Sequence, residues 1–434
     1  GDNLRAVRLA AESLDVLSND LALPILKDDG SGAGITARAL PVMTAMAPQI
    51  QALADKVEAA AASPFLIGPV RGGIDQVVEV IVPAAPMVGI VPTLLGAEAP
   101  RDYLLVFQNN AETLPLGGSA ASQTMVQVDK GSLNITNQAG SGDFDNGNAV
   151  DVEIDQSALD LYSEYLRAHV NTSVSRPDFP TAARVLAAFW NRDIDQTEID
   201  GVISVSPLAL QRILKATGPI QVGDTELNDT NAVGILLSEA YSRFEPEVSD
   251  AFFALTAAQV FSRIGSGQFN AKDMIWAVSE SIANGDIMVY SEDEKIASLI
   301  DGERVAGILP TTNEEATTVG VFLRDTSASK IDFYMKSSAS VVGTSTFAVS
   351  SGLHLDLTQE AADDLPDYVK SQHWGSDKFR TEIFVYGPPG TTFASASVDG
   401  ANLQPLRTDI VDLGRPVAMF EVFLVPGESA SANA

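Results

Sequence analysis

Residues 103–122, YLLVFQNNAETLPLGGSAAS, set the pattern from which the organisation of the whole chain can be worked out. The first five residues form an apolar and aromatic run that is typical of a buried strand. Three amide side chains, one carboxylate and a glycine pair follow, and glycines allow backbone N–H groups to approach an anion closely. The stretch therefore predicts a strand that ends in a polar loop, which either binds a ligand or satisfies its own backbone.

Strands and helices alternate on the C-terminal side of this stretch. The segment TMVQVDKGSLNITNQ predicts a hairpin that turns at residues 129–131, and GVISVSP predicts a second buried strand. The helix PLALQRILKAT follows that strand and ends at a Gly-Pro pair. Strands and helices joined by short links predict an α/β fold with a layered sheet, and we assign this central domain to residues 99–320.

The N-terminal part of the chain has a helical pattern instead. Apolar residues recur at three- and four-residue spacing within residues 1–98, which predicts a helical hairpin or bundle. The most apolar run there covers residues 81–96 and contains Pro83, Pro86 and Pro92. We therefore predict that this run is too short and too interrupted to cross a bilayer.

The C-terminal part of the chain is predicted to be mainly β. Short alternating strands separated by Gly, Pro and Asp turns predict a β-sandwich-like domain over residues 321–428. Its first hairpin is predicted to join GVFLRD to KIDFYMK. The small polar residues 429–434 are predicted to be a disordered tail.

Composition excludes several classes of function. The 434 residues carry 57 acidic and 27 basic side chains, a net charge of −30, which disfavours binding to nucleic acid because phosphate contacts need clustered Lys and Arg. The chain has no cysteine, so disulfides and thiolate chemistry are excluded. Its histidines, His169, His354 and His373, are not at ligand spacing, which argues against a zinc site or a Ser-His-Asp triad.

The polar loop belongs to a longer set of motifs. FQNNAE with its following GG, RPDFPTAARVLAAFW, IDGVISVSPLALQRILKATGPI, TNAVGILLSEAYSRF and KIDFYMK occur in the order and spacing of the domain of unknown function 4012 family. The chain resembles the actinobacterial form of that family over nearly its whole length. The resemblance implies an extracytoplasmic protein of an envelope polysaccharide setting, anchored to the cell membrane by a helix that precedes residue 1. Where the family commonly has Arg and Thr in this loop, the chain has Leu114 and Leu116.

A more distant resemblance is to the LytR-CpsA-Psr phosphotransferases, which attach lipid-pyrophosphate-linked glycans to the cell wall. The segment from GVISVSP to TNAVGILLSEAYSRF is similar in layout to the part of that fold that carries an arginine-rich cleft. The resemblance implies that Arg101, Arg184 and Arg243 converge as catalytic groups around a pyrophosphate. Two phosphates in an apolar cleft need several guanidinium groups, a divalent cation such as Mg²⁺, or both. The sequence leaves the cofactor and its metal ligands unassigned.

The candidate ligand-binding residues combine the loop with side chains from later motifs. Amides and a carboxylate would orient an acceptor or a cation, the glycine pair would present backbone N–H groups, and two aspartates are alternative carboxylates. A tyrosine near Arg243 would face the cleft at the end of its helix. These candidates are Asn109, Asn110, Glu112, Gly117, Gly118, Asp178, Asp200 and Tyr241.

Three functions remain open on the sequence. The first is an exported, membrane-tethered protein that binds or transfers polyprenyl-pyrophosphate-linked glycans, with phosphotransferase activity left undecided. The second is a non-catalytic scaffold for other envelope proteins, which the substitutions Leu114 and Leu116 favour. The third is a carbohydrate-binding module in the C-terminal β domain, which depends on the aromatic residues Tyr368 and Trp374.

Overall fold

The computed structural model describes residues 2–27, 34–244, 246–314, 316–399 and 407–434. An N-terminal helical region leads into a central domain built on a mixed sheet, and two antiparallel sheets follow. This order confirms the fold class that the sequence predicts.

The helical region is a hairpin with additional short helices. Its elements are α1 (Asp2–Asp15), α2 (Leu23–Leu26), α3 (Ile35–Ala61) and α4 (Gly68–Leu94), with a π-helical segment, Val16–Ala22, between α1 and α2. The short link between α3 and α4 makes them neighbours, and α1 packs on both. Ile50, Val57, Ile74 and Ile81 lie in their shared core.

The predicted interruption of α4 is wrong. The helix continues through Pro83, Pro86 and Pro92 for 27 residues. A proline removes one backbone hydrogen bond and crowds the preceding turn, but its fixed φ is compatible with a helix. Burial of Ile81, Ala85 and Val88 against the rest of the bundle offsets that loss. By length and composition α4 could cross a membrane, with a mean hydropathy of 1.9 over an 18-residue window of which 22% is buried.

The central domain is built on a five-stranded sheet. Its strands are β1 (Arg101–Asn109), β2 (Ser119–Asp129), β3 (Ser132–Gly140), β4 (Gly201–Val205) and β7 (Ile287–Ser291), and the short hairpin β5 (Ile220–Val222) and β6 (Thr225–Leu227) lies outside it. The strand order is β3-β2-β1-β4-β7, in which β1 and β4 are parallel and the other neighbours antiparallel. The predicted turn after β2 is confirmed: Lys130 and Gly131 both have positive φ, at 48° and 78°.

Helices cover both faces of this sheet. The helices of the central domain are α5 (Gln156–Tyr162), α6 (Tyr165–Ala168), α7 (Phe179–Asp193), α8 (Pro207–Thr217), α9 (Ala232–Gly234), α10 (Ala240–Arg243), α11 (Pro246–Gly265), α12 (Ala271–Ala283) and α13 (Glu294–Ile300), with a π-helical segment, Ile235–Glu239, between α9 and α10. Of these, α5 and α6 pack against the sandwich. α7 buries Leu186 and Phe189 against Leu104 and Val106 of β1. On the other face α8 and α11 pack over the ends of β1 and β4.

The C-terminal domain is a sandwich of two four-stranded sheets. Its elements are β8 (Gly320–Asp325), β9 (Met335–Gly343), β10 (Phe347–Leu355), α14 (Gln359–Asp363), β11 (Phe379–Tyr386), β12 (Ser397–Asp399), β13 (Arg407–Asp412), β14 (Arg415–Leu424) and β15 (Ser429–Asn433). The sheet orders are β13-β14-β11-β8 and β12-β15-β10-β9. Side chains of both sheets, including Leu353, Ile383, Phe420 and Ala432, meet in one core.

Two predictions for this domain are wrong. GVFLRD and KIDFYMK do not form a hairpin: β8 pairs with β11, and Ile331–Tyr334 is a 3₁₀ turn. The carboxylate of Asp325 ends β8 by accepting hydrogen bonds from the backbone N–H of Ser327 and of Ser329, which redirects the chain. The predicted disordered tail instead contains β15, which pairs with β10 and β12. Its buried Ala430 and Ala432 are small enough to fit the sandwich core.

Candidate functional site

The polar loop lies at the carboxyl ends of the two parallel strands. β1 ends at Asn109 and β4 ends at Val205, side by side in the sheet. In open α/β sheets this edge is where ligands commonly bind, because strands diverge there into separate loops. Residues 110–118 leave the sheet at this edge and return as β2.

Part of the loop is held by its own side chains. Asn110 Nδ2 donates to the carbonyl oxygen of Gly117 at 3.0 Å, and the N–H of Gly117 donates to Leu114 O at 2.7 Å. Gly117 has a φ of +126°, which favours glycine, and a Cβ on Gly118 would collide with the backbone of Asn109. Asn110 and the glycine pair therefore shape the loop around the end of β1.

The two leucines of the loop are core residues. Leu114 and Leu116 are each 6% exposed and pack in the same core as Phe179 and Val174. The N–H of Leu116 donates to Val174 O at 3.3 Å. The two positions at which the resembling family commonly has Arg and Thr are thus buried and apolar here.

Three of the predicted ligand-binding side chains meet at the start of the loop. Asn109 Nδ2 donates to Tyr241 Oη at 2.6 Å and to Glu112 Oε1 at 3.2 Å. The Oδ1 of Asn109 accepts from the N–H of Ala111 at 3.1 Å. Asn109 and Tyr241 are 5% and 6% exposed, so these hydrogen bonds are shielded from solvent.

Lys330 completes this group and was not found by sequence analysis. Its Nζ donates to Glu112 Oε1 and lies 4.9 Å from the centre of the Tyr241 ring, a cation–π distance. Burial lowers the pKa of Lys330 to about 8. We call Asn109, Glu112, Tyr241 and Lys330 the loop cluster. The signal that could have identified Lys330 is its place at the start of KIDFYMK, one of the motifs already recognised.

The segment that carries Lys330 is fastened to the loop by its backbone as well. Asp332 Oδ2 accepts from the N–H of Thr113 at 2.7 Å, and the N–H of Asp332 donates to Ala111 O at 3.3 Å. Burial and the nearby carboxylate of Asp325 raise the pKa of Asp332 well above its ordinary value. Hydrogen bonds therefore fix the polar loop of the central domain against the first turn of the sandwich.

An apolar pocket adjoins the loop cluster. It lies between the ends of β1 and β4 and the helices on that face of the sheet, and it spans about 490 Å³ when the open solvent at its mouth is included. Asn109 and Tyr241 form its polar wall. The remaining lining is mainly apolar and includes Phe107, Val205, Leu210, Leu236, Leu237, Phe253 and Ala257.

The predicted convergence of arginines is wrong. Arg101 begins β1, eight residues before Asn109, so about 26 Å of strand separates it from the pocket. Arg184 lies on α7, which covers the opposite face of the sheet, and its Nη2 donates to Thr181 Oγ1 of the same helix. Arg243 is near the pocket but exposed, and it pairs with Glu239 at 2.5 Å one helical turn away.

The two aspartates predicted as alternative ligand-binding carboxylates form ion pairs and backbone hydrogen bonds within the fold instead. Asp200 pairs with Arg101 and accepts from the N–H of Asp102 at 2.8 Å, which ties together the amino ends of β1 and β4. Asp178 caps α7 by accepting from the N–H of Thr181 at 3.2 Å, and it pairs with Arg176 at 2.8 Å. Both lie away from the loop cluster.

The described part of the chain has no group of three or more His, Asp or Glu side chains that could hold a metal ion. The loop cluster offers a single carboxylate, and that carboxylate is paired with Lys330. The groups that face the apolar pocket from the cluster are an amide and a phenol, which donate and accept hydrogen bonds.

The fold and the pocket define an α/β protein with an apolar pocket at the carboxyl edge of its parallel strands. The model of the family described as protein of unknown function (DUF4012) matches residues 98–241, which confirms over that range the resemblance seen in the motifs. The match contains β1, the polar loop and Tyr241, whereas Lys330 lies outside it. No curated protein matches the chain.

Two solved structures show limited similarity. One is the Lin1025 protein from Listeria innocua, 12% identical with a TM-score of 0.27, which covers 52% of this chain and 85% of that one. The other is the transcriptional regulator YvhJ from Bacillus subtilis, 12% identical with a TM-score of 0.27, which covers 57% of this chain and 88% of that one. Similarity at this level defines neither the fold nor the function of this chain.

Proposed function

We propose that this protein binds a lipid phosphate of the polyprenyl type at the cell envelope, as a binding protein and not as a phosphotransferase. The observation that carries the proposal is the apolar pocket beside the loop cluster. A branched hydrocarbon chain gains roughly 25 cal/mol for each Å² of its surface that leaves water, and this pocket offers walls of Leu, Phe, Val and Ala.

The loop cluster supplies the complementary polar end. Asn109 and Tyr241 stand in the pocket wall. The ammonium group of Lys330 is paired with Glu112 and lies 4.9 Å from the centre of the Tyr241 ring, outside the lining of the pocket. An amide, a phenol and a shielded cation together suit a phosphate ester at the head of an apolar chain. This arrangement supports an amphipathic ligand over a wholly apolar or wholly polar one.

Binding without transfer follows from the positions of the arginines. Phosphoryl and pyrophosphoryl transfer needs several cationic groups around the charge that develops in the transition state. Arg101 and Arg184 lie far from the pocket, and the guanidinium group of Arg243 is paired with Glu239. Leu114 and Leu116 fill the space behind the loop where a further cation would be needed.

Attachment to a membrane is part of the proposal. A pocket for a membrane lipid is useful only close to a bilayer, and α4 has the length and hydropathy that a spanning helix requires. An exported, membrane-attached protein that presents a prenyl lipid to envelope glycan assembly is consistent with both features.

The test is a calorimetric titration with farnesyl phosphate. Farnesol, which has only the hydrocarbon chain, and inorganic pyrophosphate, which has only the phosphate groups, are titrated for comparison. Ala257→Leu fills the pocket from α11 and is expected to weaken farnesyl phosphate binding at least tenfold. Ala251→Leu, an equal change at an exposed position of the same helix, is the matched control and is expected to leave affinity unchanged.

Three outcomes would contradict the proposal. The first is a wild-type protein that gives no heat with farnesyl phosphate although it is folded by circular dichroism. The second is an Ala257→Leu variant that binds as tightly as Ala251→Leu. Tighter binding of pyrophosphate than of farnesyl phosphate would also overturn it, because that result would show that the site recognises the phosphate groups and not the hydrocarbon chain.

A further inference from the structure

A second and larger cavity lies between the central domain and the sandwich. It spans about 1530 Å³, part of it open to solvent. It is lined by residues between 162 and 175 of the central domain, by residues between 324 and 329 and between 373 and 380 of the sandwich, and by Glu112, Leu114, Ser119 and Asn146. We call it the interdomain cleft. Its lining differs from that of the pocket at the end of β1, because hydroxyl, amide and aromatic groups predominate.

Several polar atoms in the cleft lack partners within the protein. Ser119 Oγ, Asn171 Oδ1 and Ser175 Oγ have no hydrogen-bond partner among the residues that the structure describes. Ser119 and Ser175 are each only 2% exposed, yet both line the cleft. Buried polar atoms are almost always hydrogen-bonded, so three unpaired ones on one cavity point to a polar ligand.

The charged groups of the cleft are already neutralised. Arg324 and Arg380 each pair with Glu382 at 3.0 Å, and Arg380 also pairs with Glu421. Asp325 accepts from the N–H of Ser327 at 2.7 Å and from Ser329 Oγ at 3.0 Å. The two guanidinium groups are thus paired with carboxylates, Asp325 is held by N–H and O–H donors, and Glu112 is paired with Lys330. Because these charged groups already have partners, the cleft favours a ligand without charge.

Two aromatic rings stand at the rim in fixed orientations. Trp374 is 41% exposed, and its indole N–H donates to Thr326 O at 3.1 Å while Phe423 packs edge-on at 5.4 Å. Tyr165 is 58% exposed and packs against His169 at 4.8 Å. The Arg380 guanidinium lies 5.3 Å from the centre of the Trp374 ring, so the remaining exposed surface of the ring is what a ligand can contact. Exposed ring surface of this kind suits the C–H faces of sugar rings.

We propose that the interdomain cleft binds an uncharged oligosaccharide, with Trp374 and Tyr165 against the sugar faces and Ser119, Asn171 and Ser175 bonded to its hydroxyls. The site is formed jointly by two domains, and thus differs from a module confined to the sandwich. Tyr368, the other aromatic candidate from the sequence, does not line the cleft and packs on Tyr241 instead. The proposal is independent of lipid binding at the pocket.

The test uses the whole chain on an array of neutral and acidic oligosaccharides, followed by titration of the bound sugars. Trp374→Ala is expected to lower affinity at least tenfold and Ser175→Ala about threefold to tenfold. Trp276→Ala, at a tryptophan of similar exposure that lies on α12 and outside the cleft, is the matched control and is expected to bind as wild type.

The proposal is overturned if the folded wild-type protein binds no neutral sugar, or if only acidic sugars bind. It is also overturned if Trp374→Ala and Ser175→Ala both match Trp276→Ala. Farnesyl phosphate is titrated into the same variants. Unchanged binding of that lipid by Trp374→Ala shows that the variant is folded, and separates a failure of sugar binding from a failure of lipid binding.

Discussion

At the scale of single residues, Lys330 is the most unusual side chain of the site. An ammonium group with restricted access to water prefers to lose its proton, and here the loss is opposed by Glu112 and by the face of Tyr241. The balance leaves the pKa of Lys330 at about 8, below its ordinary value of 10.5. Lys330 therefore loses its positive charge at mildly alkaline pH, and with it any electrostatic attraction for a phosphate.

Replacement of Lys330 by Met is expected to change how stability depends on pH. Between pH 8 and pH 10 the unfolded lysine keeps its proton while the native one releases it, so the free energy of unfolding rises with pH. Wild type is therefore expected to gain roughly 2 kcal/mol over this range relative to Lys330→Met. Urea unfolding at a series of pH values measures the difference.

The matched control for this prediction is Lys336→Met, at a lysine that is exposed and paired with Asp356. It is expected to leave the slope of stability against pH as in wild type. Parallel pH profiles for Lys330→Met and wild type would refute the assignment of a lowered pKa to Lys330.

The sequence identified much of the loop cluster but not all of it. Asn109 and Glu112 lie three residues apart in one motif, and Tyr241 is predicted by the resemblance to the LytR-CpsA-Psr fold. Lys330 is 218 residues from Glu112 in the chain, and neither local pattern nor composition can predict that a turn of another domain closes over the loop. Long-range contacts of this kind depend on domain docking, which periodicity does not encode.

At the scale of elements, α4 differs most from its sequence prediction. Local rules treat each proline as a helix breaker, whereas packing against α1 and α3 stabilises the backbone over the whole of Gly68–Leu94. The exposed side of the helix carries Val80 at 57% and Met87 at 51% exposure. Apolar side chains that project from an apolar helix suit contact with a hydrocarbon layer.

A charged substitution on this side of α4 is expected to release the protein from membranes. The double variant Val80→Glu and Met87→Glu should reduce flotation with phosphatidylcholine vesicles at least fivefold, because each carboxylate costs several kcal/mol in a hydrocarbon layer. The control double variant, Val342→Glu and Val411→Glu, changes valines of the sandwich that are 70% and 63% exposed. A wild-type protein that does not float, or an equal loss in both variants, would show that α4 does not contact the bilayer.

At the scale of the whole molecule, a buried charge network joins the central domain to the sandwich. Arg176 is 3% exposed and pairs with Asp155, Asp178 and Asp412, each at 2.7–2.8 Å. Asp412 also accepts from Tyr386 Oη at 2.9 Å. Since Asp412 belongs to the sandwich and the other carboxylates to the central domain, the guanidinium group couples the two domains.

Arg176→Met is expected to destabilise the protein by about 3–5 kcal/mol, because it leaves Asp178 and Asp412 buried without a counter-charge. Guanidinium chloride unfolding should then separate into two transitions, one for each domain. Arg243→Met removes an exposed pair within one helix and is the control, with an expected cost of about 0.5 kcal/mol or less. A similar loss in both variants would mean that Arg176 does not couple the domains.

The arginines show where sequence reasoning fails at this scale. Strand and helix order correctly predicted the α/β class, since periodicity and turn residues report on local structure. The positions of Arg101, Arg184 and Arg243 depend on strand length and on which face a helix covers, and both are settled by packing. Arg176, which couples the two domains, is in RPDFP, and no local pattern there indicates its distant partner Asp412.

The position of β15 has a consequence for biosynthesis. Ser429–Asn433 is an interior strand of its sheet, between β10 and β12, and not an edge added to a finished structure. While the ribosome is still making the chain, β10 and β12 have no neighbour between them until residue 433 has emerged. The strands β9 and β10 can pair earlier, as can β8, β11, β13 and β14, but β12 and one edge of β10 stay unpaired until β15 is made. Exposed strand edges are prone to aggregate, so the last residues of the chain complete the protection of this sheet.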